Sequence, residues 1–515
     1  MKRILNITLF CLLAFIFLSS CKKFLEKRPI NQATDSNFWT NEAEANNGVA
    51  GAYAMLRTAM NEMGFAHYYY GDFSTDEFLV PPAGEDYQQI NRIEWNFFVA
   101  TTELHRAMIR LRRWDNFYRA VDQSNRCLEF IGKIPLDKFT STNKTEAKNA
   151  LLGEAYFIRA FTYFYMSRIW GDVPLSTEFI ADAAKAVNLP RTQQALVLNQ
   201  CIKDLETAIG LMAWKPNFTT SRAIRVSRGA AYALLAHIYA WKGDYAKVIP
   251  AADSVIAKGG YTYVNRANQA TYLSMFKGNS TEGIFEISQN ANNEGSAIAT
   301  SYGTIINNVA GRTLKSPYLA TNTGNSYFPL DRTTLSTLFP DNADSNDYRR
   351  KNGFAFWGTT DPITIKYSSG VIYSGTNNTS PLSLHNIVVF RLADIALLKA
   401  EALAATSDFG GARTILNQIR TLNNVSPYTG SDNTLFAAVI DERTRELFLE
   451  GHHFYDLVRL GKKTNGADLR FNGSSGAARM DNAQFQQGKY YWPVDPITII
   501  SNPLVTQTPY WADKM

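Results

Sequence analysis

Residues 225 to 261 read RVSRGAAYALLAHIYAWKGDYAKVIPAADSVIAKGGY, and the periodicity of this stretch decides the fold. Leu234, Leu235, Ile238 and Tyr239 fall at helical spacing and make one apolar face, with Trp241 just beyond it. Lys242-Gly243-Asp244 breaks the pattern with turn residues. A second stripe follows in Tyr245, Val248, Ile249, Ala252, Val255 and Ile256, and stops at Gly259-Gly260. Paired glycines end helices well, because the residue after the last turn often takes a positive φ. The stretch is a helical hairpin.

Its length is that of one tetratricopeptide (TPR) unit, about 34 residues. Such a unit places a small residue where its helices cross, an aromatic three residues later, and a Gly-x-aromatic turn. Ala236, Tyr239, Gly243 and Tyr245 fill those places, with Val248 at the second small position. Any antiparallel helix pair could look similar, but the spacing recurs. Ala236 to Val248 and Ala400 to Ala412 are both separated by twelve positions, the second pair bracketing Asp408-Phe409-Gly410-Gly411. One unit cannot bury its own apolar face, so neighbours must stack against it. The fold class expected is mostly α: a TPR-like helical-repeat scaffold with long loop-rich insertions and a few short strands.

Working outward, helices are expected at Glu42 to Met60, Glu103 to Ile131, Thr145 to Trp170 and Gln193 to Met212. After the central hairpin, Ile387 to Ala405, Gly410 to Leu422 and Leu435 to Leu449 restore the helical pattern. The TPR-type helices thus fall at about 42–261 and 387–461. Between them, 262–385 is rich in Ser, Thr, Asn and Gly, with strand-like pieces at Ile284 to Ile287 and Ile363 to Tyr367. Residues 462–515 form an irregular tail. Residues 64 to 98 lack periodicity but are dense in aromatics, and read as a functional loop region.

Residues 1–20 stand apart from this single unit of 21–515. Lys2-Arg3 is a basic start, and Ile4 to Leu18 is an apolar run too short for a membrane span. Leu18-Ser19-Ser20-Cys21 follows, which looks like a bacterial lipobox with Cys21 as the lipidated first residue; the bland alternative is an uncleaved anchor. Multiple acyl chains anchor stably where one is marginal. The formal charge of +6 falls to +4 without Lys2 and Arg3, and no basic cluster with interleaved aromatics occurs, which argues against nucleic acid. Cys127 and Cys201 both sit in apolar helical patterns and are expected as buried thiols.

Several blocks then resemble the SusD/RagB family of surface lipoproteins, nearly end to end. They include Cys21 to Glu26, Phe38-Trp39 through Tyr53, and Gly153-Glu154-Ala155-Tyr156 running to Gly171-Asp172-Val173-Pro174. Others are Arg391 through Ala402, Tyr491-Trp492-Pro493-Val494 and Asn502-Pro503-Leu504. The most specific runs from Glu442-Arg443-Thr444-Arg445-Glu446 to Glu450-Gly451-His452-His453-Phe454-Tyr455-Asp456. His453 stands where the family usually has Arg, and only Glu26 is acidic near Cys21. The resemblance implies a lipid-anchored, TPR-containing substrate-binding protein exposed on the outer leaflet of the outer membrane. It further implies a SusC-like TonB-dependent transporter as partner, with oligosaccharide or peptide as ligand.

An exported glycoside hydrolase is one rival, since two carboxylates across a cleft would suffice. A TPR protein–protein adaptor is another, disfavoured by the aromatic loops and the tether. G-x-S-x-G, H-E-x-x-H and P-loop motifs are missing, and the six histidines form no spaced ligand set. No catalytic residue, cofactor or metal is therefore expected. Glu442 and Arg445, three apart, read as a structural pair on one helix. Ligand contacts are expected from loops at about 64–98 and 290–360. Tyr69, Tyr70, Trp95, Tyr327 and Trp357 are the stacking candidates, with Asp72 and Asn96 as hydrogen-bonding groups.

Overall fold

A computed structural model describes residue 35 and residues 37–515, apart from 83, 101, 215–221, 290–308, 321, 323, 325, 327, 342, 375–379, 474, 475 and 477. The leader, Cys21, Tyr327 and part of the 290–360 loop lie outside the described residues.

The scaffold is a succession of stacked helices. Helices α1 (Glu42–Met60), α2 (Asp115–Ile131), α3 (Lys144–Trp170) and α4 (Gln194–Leu211) pack in chain order. The central hairpin follows as α5 (Arg228–Lys242) and α6 (Tyr245–Lys258). Asparagine side chains start two of them: Asn41 accepts from the amide of Glu44, and Asn143 from that of Glu146. From Gly153 nearly every residue of α3 is buried, as its two apolar stripes require of a helix between others. Gly243 ends α5 at φ 78°, its amide donating to Ala240 while Asp244 donates to Tyr239. Tyr239 itself is half-buried, with Lys247 5.4 Å over its ring, so it is not the core residue that the stripe suggests.

The second helical group is α7 (Leu392–Ala405), α8 (Phe409–Leu422), α9 (Leu435–Glu446) and α10 (His453–Lys463). Helix α6 packs directly on α7 although the insertion separates them in sequence. A buried two-stranded ribbon makes this possible. Strand β1 (Gly283–Ile287) pairs antiparallel with β6 (Ile387–Arg391), Phe285 opposite Phe390 and Ile287 opposite Ile387. The expected helix at Ile387 to Ala405 therefore begins five residues late. Ile387, Val388, Val389 and Phe390 are β-branched or aromatic and suit a fully buried strand. Glu103 to Ile131 is likewise two helices, Ala107–Leu111 and α2, because Arg112 turns inward to donate to the carbonyls of Trp95 and Phe97. Two small hairpins complete the insertion: β2 (Phe354–Ala355) with β3 (Ile363–Thr364), and β4 (Val371–Ser374) with β5 (Ser380–Ser383).

A chain of buried ion pairs ties the insertion to the second helical group. Arg349 reaches Asp347 and Glu442 at 2.7 Å and Glu446 at 3.3 Å. Arg391 pairs with Glu446 and Glu450 at 2.7 Å, and Arg266 joins Glu446 to Glu282. Arg443 bridges Asp394 and Asp456 at 2.9 Å, and Arg459 links Asp456 to Glu401. Burial alone would raise the Glu446 carboxyl, but Arg266, Arg391 and Arg349 hold it well below its usual range. The Glu442–Arg445 pair forms at 2.8 Å, and Cys127 and Cys201 are buried free thiols. These acids pin helices.

Candidate functional site

The aromatic segment 64–98 is mostly core. Tyr69 is buried, its ring 4.2 Å from Phe65, 5.2 Å from Phe73 and 5.6 Å from Tyr87. Tyr70 donates its hydroxyl to the carbonyl of Leu111 at 2.8 Å and stands edge-on to Trp492. Trp95 stacks on Trp492 with centroids 4.3 Å apart and donates Nε1 to the carbonyl of Ile90. None of the three presents a free face, so as placed they are packing rings, not platforms. Local periodicity could not show this, because Trp492 of the C-terminal tail covers Tyr70 and Trp95, and Phe328 of the insertion packs on Tyr69.

Asp72 is also buried, accepting from the amides of Gly451 (2.6 Å) and His453 (3.5 Å). Burial pushes its carboxyl up to about 8, against the Gly451 amide, which favours the charged form. It fastens the 451–453 turn and offers nothing to a ligand. Asn96 is half-buried and spends its amide on the carbonyl of Lys514 at 3.1 Å. Phe98 is the ring of this segment that stands clear, 84% exposed.

Accessible rings gather instead at the insertion. The β2–β3 hairpin carries Phe356 and Trp357 at the start of its loop, followed by exposed Gly358, Thr359 and Thr360. Trp357 is half-buried, edge-on to Phe354 and Phe339, with the Arg350 guanidinium 4.7 Å over its ring. Phe356 is half-buried beside Tyr318, with the Lys315 ammonium 4.7 Å over it. Lys315 is itself held by Asp361, and the Tyr373 hydroxyl on β4 accepts from the amide of Ala320. Phe356 sits at φ 55°, a left-handed conformation uncommon for an aromatic and of the kind that gathers at functional surfaces. Among the described candidates Trp357 is the one that keeps an accessible ring; Phe356, Tyr318 and Tyr373 are not marked out by the sequence reading. The FW pair after a short strand was the available signal.

Two clefts of about 660 and 650 Å³ lie away from this hairpin. One is lined by Glu42, Asn46, Glu154 and Arg225, the other by Met55, Trp114, Tyr118 and Asn502. The Glu154–Arg225 ion pair lines the first. Among the described residues no helix is long and apolar enough to cross a membrane.

Comparison with known proteins follows the same division of the chain. Residues 23–240 match a family model described as starch-binding associating with outer membrane, and residues 341–511 match that of the SusD family. A SusD-like protein of Formosa agariphila is 28% identical, covering 98% of this chain and 99% of its own. A SusD-like protein of Bacteroides ovatus is 23% identical over 86% of this chain and 80% of its own. The crystal structure of a SusD homolog from Bacteroides thetaiotaomicron, 26% identical, has a TM-score of 0.76 over 92% of this chain and 99% of its own. Stacked helices interrupted by a ring-bearing insertion thus define a helical-repeat binding protein. The two family models, the relatives and the solved structures together make this a SusD-like protein. That likeness supports a nutrient-binding role associated with the outer membrane.

Proposed function

We propose that this protein is a lipid-anchored, non-catalytic binder of oligosaccharide at the cell surface, passing its ligand to a SusC-like TonB-dependent transporter. The observation that carries the ligand class is the half-exposed ring cluster of Tyr318, Phe356, Trp357 and Tyr373, flanked by Lys315, Asp361 and Arg350. Flat rings take sugar faces, and charged side chains beside them take hydroxyls. Peptide is the other ligand class under this reading. The acids of the 442–456 block support a non-catalytic role, since each named above is committed to an arginine in the core.

The direct test is calorimetry of the purified protein against starch-type and other oligosaccharides, with product analysis of the same mixtures. Binding without cleavage is expected; turnover lost on mutating a single Asp or Glu would overturn the reading. Cys21→Ala is expected to release the protein from the membrane fraction, measured by fractionation and labelled-palmitate uptake. Affinity purification in mild detergent is expected to recover an outer-membrane β-barrel partner.

A further inference from the structure

We infer that Asp76, Glu77 and His453 form a binding site for a divalent transition-metal ion, Zn²⁺ by chemical preference, which clasps the 72–78 segment to the first residue of α10. One ligand atom from each residue lies within 4.8 Å of the other two. Glu77 and His453 are buried, and Asp76 is partly exposed, giving an ion a way in from solvent.

Glu77 is 1% exposed, and its Oε1 lies 2.6 Å from Nδ1 of His453, an ion pair when the imidazole is protonated. No well-aligned hydrogen bond fixes the carboxylate oxygens or Nδ1, so the imidazole can give up its proton to an ion that takes the same two groups. An ion with bonds of about 2.0–2.2 Å would sit between ligand atoms roughly 3.4 Å apart. The pair would open by less than an ångström to admit it.

The donor set selects the metal. One imidazole nitrogen with carboxylate oxygens suits Zn²⁺ and its first-row neighbours; Ca²⁺ and Mg²⁺ prefer all-oxygen sets. The supporting contacts hold the ligands in place. The Glu77 carbonyl accepts from the amide of Asp331, and Asp72 accepts from the amides of Gly451 and His453. Arg479 is the neighbouring cation, and its guanidinium is turned away to the carbonyls of Thr75 and Phe78 and to Asn91.

The other His–acid cluster differs. In His237, Asp394 and His452, Arg443 already takes one Asp394 oxygen and His237 the other, while Nε2 of His452 meets the carbonyl of Val389. That group is a closed ion-pair core. Linear spacing hides the first cluster, because its ligands come from opposite ends of the chain.

The test uses the untagged chain lacking the leader, stripped with chelator and titrated with Zn²⁺ alone by calorimetry, with Co²⁺ absorption as a second readout. One ion per chain, a Tm that rises with Zn²⁺, and the visible bands of four-coordinate Co²⁺ are expected. His453→Arg supplies a permanent cation to Glu77, so it should fold while weakening Zn²⁺ binding at least tenfold; Glu77→Gln should weaken it similarly. His105→Gln, at an exposed histidine, should bind as wild type. Wild-type protein without stoichiometric binding, or a folded His453→Arg variant binding as tightly, would overturn the site.

Discussion

Residues 64–98 and residues 312–374 are both aromatic-rich and both lack helical periodicity, yet the structure uses them oppositely. In the first, Phe65, Tyr68, Tyr69, Tyr70, Phe73 and Trp95 plug the space between α3, the 450–453 turn and the tail. In the second, Leu314, Leu319, Phe339, Phe354 and Tyr367 are buried at the base, while Tyr318, Phe356, Trp357 and Tyr373 are left half-covered above it. Ring content alone does not separate plug from platform. What separates them is whether a distant segment arrives to cover the ring, as Trp492 covers Trp95.

The largest effect should come from removing a plug. Trp95→Ala deletes a ring that is 1% exposed and stacked on Trp492. Truncating such a residue costs about 3–5 kcal/mol, read from urea melts of both proteins. The folded fraction should bind ligand as wild type does. A stable variant with weakened binding would return Trp95 to the ligand surface and dissolve the contrast between the two regions.

The helical scaffold was legible because local periodicity carries it. Glu42 to Met60 and the 228–258 hairpin follow from stripes and turn glycines within the segments themselves. The site was less legible. Tyr69 and Trp357 look alike in sequence, and their burial depends on Phe328, Tyr87 and Phe354 brought in by tertiary packing. The IVVFR strand was read as helix for a related reason. A short apolar run bounded by helical sequence has no period to declare itself, and its partner β1 lies across the insertion.

The base of the insertion can be probed by acid. His385 is 1% exposed, with Nδ1 on the Ser383 hydroxyl and its ring 4.8 Å from Tyr367. Burial pushes its imidazole down from the usual 6.5 to about 3. The folded state therefore resists protonation while the unfolded chain accepts it. Stability contributed by the neutral ring is intact above pH 6.5 and is lost progressively as pH falls from there toward 3. At pH 5.5 the loss is about 1.4 kcal/mol relative to pH 8. His385→Gln removes the group, so its drop in unfolding free energy between those pH values should be smaller than wild type by that amount. Other buried histidines act equally in both proteins. Equal drops would mean that water reaches the base of the insertion, making it less core-like than the plug.

The smallest effect is the most discriminating. Phe356 holds a left-handed backbone, which costs a side-chain-bearing residue about 1–2 kcal/mol and glycine almost nothing. Phe356→Gly therefore relieves strain as it removes a half-buried ring from Tyr318 and Lys315. The two changes oppose each other, so Tm should stay near wild type or rise. A stacked ring contributes about 1 kcal/mol beyond its contact area, so affinity for a bound oligosaccharide should fall about fivefold. Trp357→Ala should weaken binding by a similar factor, with some loss of stability because Phe339 and Phe354 lose a neighbour. Calorimetry and thermal melts on the same samples separate the outcomes. If Phe356→Gly loses stability and keeps its affinity, the ring is packing like Trp95, and the strain at φ 55° serves the fold rather than a ligand.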